Sequence, residues 1–279
     1  MTIRKHPDVF VIGTASLDVL HLPDGRTVHA AGGAGMYTAL AANRAGVSAG
    51  LFAPRPEPIP DPLKPIARKL QWAGPTISPD ALPRLEIKHH GGGRATLLKA
   101  SWGAETQLTP DSMAAEIRQS PMVHIAALSS AQRQLDFLQK LKSGDQQSLI
   151  SVGTYAHLVY NDTARVRELF AQADIFFMNE NEANGLFGRV DNARTRAGAL
   201  LFITLGEAGA LVIEGERVTP IPGQPAPEID PTGAGDTFCG ATLAGLSLGQ
   251  SPIAAAQHAV ALAARTVGAI GPAALLPDI

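Results

Sequence analysis

The run Asp230-Pro231-Thr232-Gly233-Ala234-Gly235-Asp236-Thr237 leads directly into a segment rich in Ala and Leu. Glycines at 233 and 235 let the main chain come close to a ligand. A helix starting here would turn its unpaired N–H groups, with the positive end of its dipole, toward an anion such as a phosphoryl group. Asp236 would repel that anion. Its presence makes sense if it takes a proton from an attacking hydroxyl while Gly233, Ala234 and Gly235 stabilise charge on a transferred phosphoryl group. The alternative is an acidic residue that only complements the helix dipole after a Gly-rich turn. Spacing alone leaves both open.

Short apolar runs rich in Val, Ile and Phe alternate with longer Ala/Leu segments of helical period, which predicts βαβ units and a mainly parallel sheet. Strands are expected at Val9–Gly13, Ser48–Ala53, Met122–Ala126, Leu149–Val152, Ile175–Met178 and Leu200–Thr204. Helices are expected at Ala34–Ala45, Pro62–Trp72, Ser130–Leu141, Ala164–Ala171 and Glu182–Phe187, with two more near Ala234–Leu248 and Pro252–Gly268. Ala210–Ile213 and Arg217–Ile221 flank Glu214-Gly215-Glu216 as an edge hairpin. Leu20–His29 and Leu85–Ser101, bent at Asp24-Gly25 and Gly91-Gly92-Gly93, do not suit a central parallel sheet and are placed together as a small β flap. The Pro-rich stretch Ala53–Pro65 is expected to be an extended linker.

Composition narrows the classes. In 279 residues, 23 Lys and Arg against 25 Asp and Glu give a formal charge of −2, without the excess of basic residues that a nucleic-acid partner requires. The lone Cys239 excludes an internal disulfide and a thiolate metal cluster, which fits a reducing compartment such as the cytoplasm. The most apolar stretches, Val9–Ala15 and Ile253–Ala264, fall short of the roughly 18–20 residues of a membrane span. The first of them lacks a signal-peptide layout. No Gly-x-Gly-x-x-Gly follows the first strand and no Gly-Lys-Ser/Thr occurs, against nicotinamide and P-loop enzymes.

The Asp-Pro-Thr-Gly-Ala-Gly-Asp run ahead of a small-residue helix resembles the C-terminal signature of the PfkB/ribokinase family of small-molecule kinases. Other segments match that family in order: Gly13-Thr14-Ala15-Ser16-Leu17-Asp18, Gly32-Gly33, Asn179-Glu180-Asn181-Glu182 and Thr204-Leu205-Gly206-Glu207-Ala208-Gly209. Each has a plain alternative: a turn residue at Asp18, a tight helix entry at Gly32-Gly33, a capping box from Asn179 and Glu182, and a hairpin connection from Thr204 to Gly209. The resemblance implies one ribokinase-like three-layer αβα domain over 1–279, with a small β lid formed by about 19–31 and 85–102. It also implies transfer of the γ-phosphoryl of ATP to an alcohol group of a small molecule, with Asp236 as base and Gly233–Asp236 as anion hole.

In the same resemblance Asp18, Gly32, Gly33 and Tyr37 hold the acceptor. Asn179, Glu182, Thr204, Gly206, Gly209, Thr232 and His258 border the nucleotide, and Glu182 reaches Mg²⁺ through water. Asp230 and Thr232 match positions where relatives hold a monovalent cation, so K⁺ is an expected cofactor, and the lid is an expected homodimer contact.

Ala34 and Tyr37 stand where sugar kinases of this type place Lys and Asn, and Ala53-Pro54-Arg55-Pro56-Glu57 replaces a Gly-x-Asp segment. Pro231, Ala34 in place of Lys and the aromatic Tyr37 resemble the branch that includes myo-inositol kinases. A cyclitol or sugar is therefore the first expectation for the acceptor and a nucleoside the second, since Tyr37 could stack on a ring or simply pack. A non-catalytic sensor on the same fold is the alternative from another class. His89 and His90 are expected to be exposed polar residues, Cys239 a buried small hydrophobe, Trp72 and Trp102 packing residues, and Arg165 and Arg167 part of a solvated face.

Overall fold

The computed structural model describes residues 6–144 and 148–276. The ends of the expected 1–279 domain lie outside these residues. A nine-stranded sheet organises the chain, and its members in chain order are β1 (Val9–Ile12), β4 (Ala49–Phe52), β6 (Gln71–Ala73), β10 (Met122–Ile125), β11 (Leu149–Gly153), β12 (Ile175–Asn179), β13 (Leu200–Thr204), β14 (Gly209–Glu214) and β15 (Arg217–Pro222). Their spatial order is β15-β14-β13-β12-β11-β10-β1-β4-β6. All neighbours from β13 to β6 run parallel, and β13-β14-β15 is an antiparallel meander at one edge.

The strands are apolar throughout because both faces are covered. In β1, Val9 and Val11 enter one core with α1 (Ala34–Arg44), α7 (Ala234–Ser247) and α8 (Pro252–Val267), while Phe10 and Ile12 enter the other. That second core is closed by α3 (Ala131–Lys142), α4 (Ala156–Asn161), α5 (Thr163–Gln172) and α6 (Glu180–Phe187). The result is a three-layer αβα arrangement. From β1 the chain first builds β4 and β6 on one side, then returns to build β10 to β13 on the other. The point between β1 and β10 where that direction reverses opens a crevice at the carboxyl ends of the strands, where α/β sheets bind ligands.

A separate four-stranded sheet, ordered β3-β2-β8-β9, covers that crevice. It consists of β2 (Ser16–His21), β3 (Thr27–Gly32), β8 (Arg84–Gly91) and β9 (Arg94–Ser101). Its own small core is Leu20, Leu22 and Ala30, with Ile87 and Ile270 against them. His21 ties the sheet together, with Nδ1 3.0 Å from Thr27 Oγ1 and Nε2 2.9 Å from Glu86 Oε1. Strand β9 is exposed along its whole length, including Leu97 and Leu98.

Three segments depart from expectation. Pro62–Trp72 is not one helix: a 3-10 turn and the four-residue α2 (Lys64–Ala67) give way to β6, in which Trp72 pairs with Leu51 and donates its indole N–H to the Ala53 carbonyl. The open edge of β4 competes with helix formation there, and an aromatic side chain favours the extended form. The Pro-rich stretch is more than a linker, since β5 (Arg55–Pro56) pairs with β7 (Thr76–Ile77). The flap also begins earlier than expected, at Ser16, so Asp18 sits on one of its strands.

Candidate active site

Beneath the small sheet lies a cavity of about 340 Å³, within the range of small-molecule sites. Its walls come from residues just past the carboxyl ends of the central strands: Thr14 after β1, Ala127 after β10, Thr154 and Tyr155 after β11, and Asn179 and Thr204 at the ends of β12 and β13.

Helix α7 opens into this cavity without a side-chain cap. Helices α3, α6 and α8 all have one, from Ser130, Asn179 and Ser251 respectively. The Ala234 N–H donates to the Pro231 carbonyl at 3.2 Å, which leaves the Gly235 and Asp236 N–H groups available to an anion. Gly233 enters the helix in the left-handed conformation, φ 74°, and a Cβ there would lie 2.5 Å from atoms of the Tyr37 ring. Only glycine meets both constraints. The helix start is held by Phe238, two residues past Asp236, which packs edge-on against the stacked pair Phe177 and Phe202. Each such contact contributes about 0.5–1.5 kcal/mol beyond its buried area.

Three carboxyl groups face the cavity, and all are harder to ionise than usual. Burial pushes Asp236 up to about 6. Burial also raises Asp18 to about 6; the nearby Ser16 hydroxyl and the hydrogen bond from the Leu85 N–H oppose this, and the charge of Asp230 adds to it. Glu182 reaches about 7, again chiefly from burial, with Asp236 adding to the shift. Its Oε2 accepts the Asn179 N–H at 2.8 Å and its Oε1 accepts the Asn179 side-chain amide at 2.7 Å, while Asn179 Oδ1 accepts the Glu182 N–H. The capping box is therefore real, and the carboxyl that makes it also lines the cavity. Gly32 lies behind Asp18, where a methyl would overlap the carboxylate. Gly33 at φ 100° turns the chain into α1.

Among the described residues no cluster of three or more His, Cys, Asp and Glu could hold a metal. The Glu182 carboxyl, facing the cavity, suits a hard divalent ion that keeps most of its water.

Asp230 is different. Burial would raise it, but hydrogen bonds from His89, the Thr232 N–H and the Gly271 N–H outweigh burial and hold it below the usual carboxylate range. His89 Nε2 lies 3.3 Å from Asp230 Oδ1 and 2.9 Å from Thr232 Oγ1, and the residue is 3% exposed. The expectation of an exposed histidine fails because alternation along β8 turns Leu85, Ile87 and His89 inward together and leaves Lys88 and His90 outside.

The other expected site residues divide. Tyr37 is 1% exposed, packs its ring under Gly233 and also lines the cavity, so it both supports the turn and borders the site. Thr204 lines the cavity, whereas Gly206 and Gly209 lie outside it at the turn between β13 and β14. His258 is exposed and faces Gln250 Oε1 at 3.1 Å, near the connection between α7 and α8 and away from the cavity.

The structure also brings in residues that sequence reasoning passed over. Trp102, expected only to pack, forms one wall with Tyr155; their ring centroids are 6.1 Å apart and Leu85 and Ile87 continue the apolar surface. His124, which burial lowers to about 3 and so keeps neutral, donates or accepts with Ser151 Oγ at 2.9 Å and lies beside Cys239 on the cavity lining. A strand-period check on 85–89 would have found His89, but nothing local joins Trp102 to Tyr155.

Comparison with known proteins agrees with this arrangement. The profile described as pfkB family carbohydrate kinase matches residues 74–279. A cytidine kinase from Thermococcus kodakarensis is 32% identical over 252 residues, covering 87% of this chain and 90% of that protein. Among solved structures, adenosine kinase from Sinorhizobium meliloti superposes with a TM-score of 0.79 at 20% identity, covering 98% of this chain and 96% of the other. Ribokinase from Cryptococcus neoformans, in complex with ADP, gives 0.78 at 21%, covering 97% and 96%.

Proposed function

Because the chain belongs to the pfkB family of carbohydrate kinases, and is therefore a phosphotransferase, we propose that it moves the γ-phosphoryl group of ATP to a hydroxyl of a nucleoside. The observation that carries the choice of acceptor is the two-sided cavity. Trp102 and Tyr155, their rings inclined at 56°, make an apolar wall with Leu85 and Ile87, and Asp18 supplies a hydrogen-bonding end. A base on the wall and a sugar at the carboxylate satisfy both sides. A cyclitol or free sugar, the first expectation from sequence, would set hydroxyls against the apolar wall with their hydrogen bonds unmade. Kinship to a cytidine kinase supports the same order.

In the proposed reaction Asp18 and the Gly32-Gly33 turn orient the acceptor hydroxyl. Asp236, with a proton affinity near neutrality, accepts the proton as the hydroxyl oxygen bonds to the γ-phosphorus and the bond to the ADP oxygen breaks. The N–H groups of Gly233, Gly235 and Asp236 hold the charge spread over the transferred group. Thr204 and Asn179 border the nucleotide side. Mg²⁺ brought with the phosphates would be held from the protein side by Glu182 through water, where it would supply charge neutralisation. The small sheet acts as a lid that excludes water from the transfer.

ADP release measured with cytidine, other nucleosides, ribose and myo-inositol tests the choice. The expected result is a kcat/KM for at least one nucleoside about 10²-fold or more above ribose and inositol, a ratio typical of a site whose polar groups reject an incomplete substrate. Preference for inositol or ribose would overturn it. Nucleotide binding without turnover on any acceptor would favour a sensor.

A further inference from the structure

His89 is a long way from Thr232 and Asp230 in sequence and comes from the other sheet, yet it is the buried polar contact between the lid and the phosphate turn. A second bond, from the Gly93 N–H to Glu228 Oε2 at 2.8 Å, holds the tip of the same hairpin to the same stretch of chain. The acceptors matter most. Asp230 Oδ1 receives the Thr232 N–H at 3.0 Å as well as His89, and Oδ2 receives the Gly271 N–H at 2.8 Å. A monovalent cation held by Asp230 Oδ1 and the Thr232 hydroxyl, the two residues the family resemblance assigns to it, would compete with His89 Nε2 for the same lone pairs. At these two atoms the residues present do not fit the cation: the imidazole from the lid takes its place.

We propose that His89 is a positioning residue that does in this chain what a monovalent cation does in relatives, so that the phosphate turn is completed by lid closure and not by potassium. Thr232 directly precedes Gly233, the residue that sets the entry into α7. Holding the Thr232 hydroxyl and the Asp230 carboxylate fixes the turn just ahead of Gly233. The strand that brings His89 also brings Leu85 and Ile87 to the acceptor wall. Seating an acceptor under the lid and ordering the anion-binding N–H groups thus become one event, which disfavours transfer to water when the acceptor is absent. The inference rests on the phosphotransferase reading of the α7 turn but not on the nucleoside as acceptor.

The test compares wild type, His89→Ala and His89→Gln in potassium chloride and in tetramethylammonium chloride at matched ionic strength. Losing a hydrogen bond to a charged group should lower kcat of His89→Ala by about 10- to 100-fold, with a smaller change in KM for the acceptor. Potassium should restore at least about fivefold of that loss while altering wild type by less than about twofold. The amide of His89→Gln should recover much of the rate without potassium. Melting curves, taken without any acceptor, provide a second readout: potassium should leave the wild-type melting temperature unchanged and raise that of His89→Ala, since a ligand of the native state stabilises it. If His89→Ala does not fold, the potassium response of wild type and of His89→Gln decides. Activation of wild type by potassium, a potassium-dependent rise in its melting temperature, wild-type kcat in His89→Ala, or a loss that neither potassium nor glutamine repairs would each overturn the proposal. Failure of nucleosides as acceptors would leave the melting experiment intact and so be told apart.

Discussion

Replacing Asp236 with asparagine should stabilise the protein while removing its activity. The Asp236 carboxyl is pushed by burial from an ordinary 3.8 to about 6, so its ionised form costs about 3 kcal/mol more in the folded protein than in the unfolded chain. The sign follows from protonation. Below 3.8 the group is neutral in both states and contributes no penalty; the penalty grows between 3.8 and about 6 and is complete above it. The α7 dipole offsets about 0.3–1 kcal/mol of it. A side-chain amide is isosteric with the carboxylate and uncharged, so Asp236→Asn should gain roughly 2–3 kcal/mol near pH 8, or about 5 °C in melting temperature, and almost nothing near pH 4. Relief of Glu182, whose own shift to about 7 includes a contribution from Asp236, acts in the same direction. Urea unfolding of both proteins at the two pH values measures the difference, and ADP release should show turnover reduced by at least about 10²-fold. Equal stability at pH 8, or an equal gain at both pH values, would refute an ionisation cost at this position. Near-normal turnover would remove Asp236 from the role of base.

Other expectations follow from the same geometry. The kcat/KM profile should fall on the acid side near pH 6, because Asp236 and Asp18 are both raised to about 6 and the protonated base cannot accept; a profile flat to about pH 5 speaks against it. Trp102→Ala should raise the acceptor KM by about tenfold or more, from the ~1–3 kcal/mol of base stacking, and leave KM for ATP unchanged in steady-state kinetics. Tyr37→Phe should be neutral to stabilising in thermal melts and keep its activity, because the Tyr37 hydroxyl is buried with no partner among the described residues. Gly233→Ala should reduce turnover by at least about 10²-fold, since a Cβ would strike Tyr37 and the left-handed conformation would be strained.

The parts of the site that were legible in sequence are those encoded locally. Glycine spacing, the Asp after the glycines and the strand-helix alternation lie within single segments, and the turns at Gly33 and Gly233 adopt the backbone that glycine permits. What failed was decided by contacts across the chain. Trp72 became a strand because β4 had a free edge. His89 became buried because the lid folds onto residues 143 positions later. Trp102 and Tyr155 form a wall only once β9 and β11 are brought to the same opening.

One packing detail bears on how such an enzyme could change its substrate. Gly240 of α7 lies so close to α1 that a methyl would overlap the Thr38 carbonyl. The same two helices begin at the acceptor turn, Gly33, and at the phosphate turn, Gly233. The spacing between the two turns is thus set by a rigid helix pair in the body, while the apolar wall above them comes largely from the lid. In the proposed reaction, transfer and acceptor recognition therefore rest on different parts of the chain. Exchanging the 84–101 hairpin for that of another kinase should redirect acceptor choice without rebuilding the transfer machinery, provided the graft still carries a donor able to serve Asp230 and Thr232.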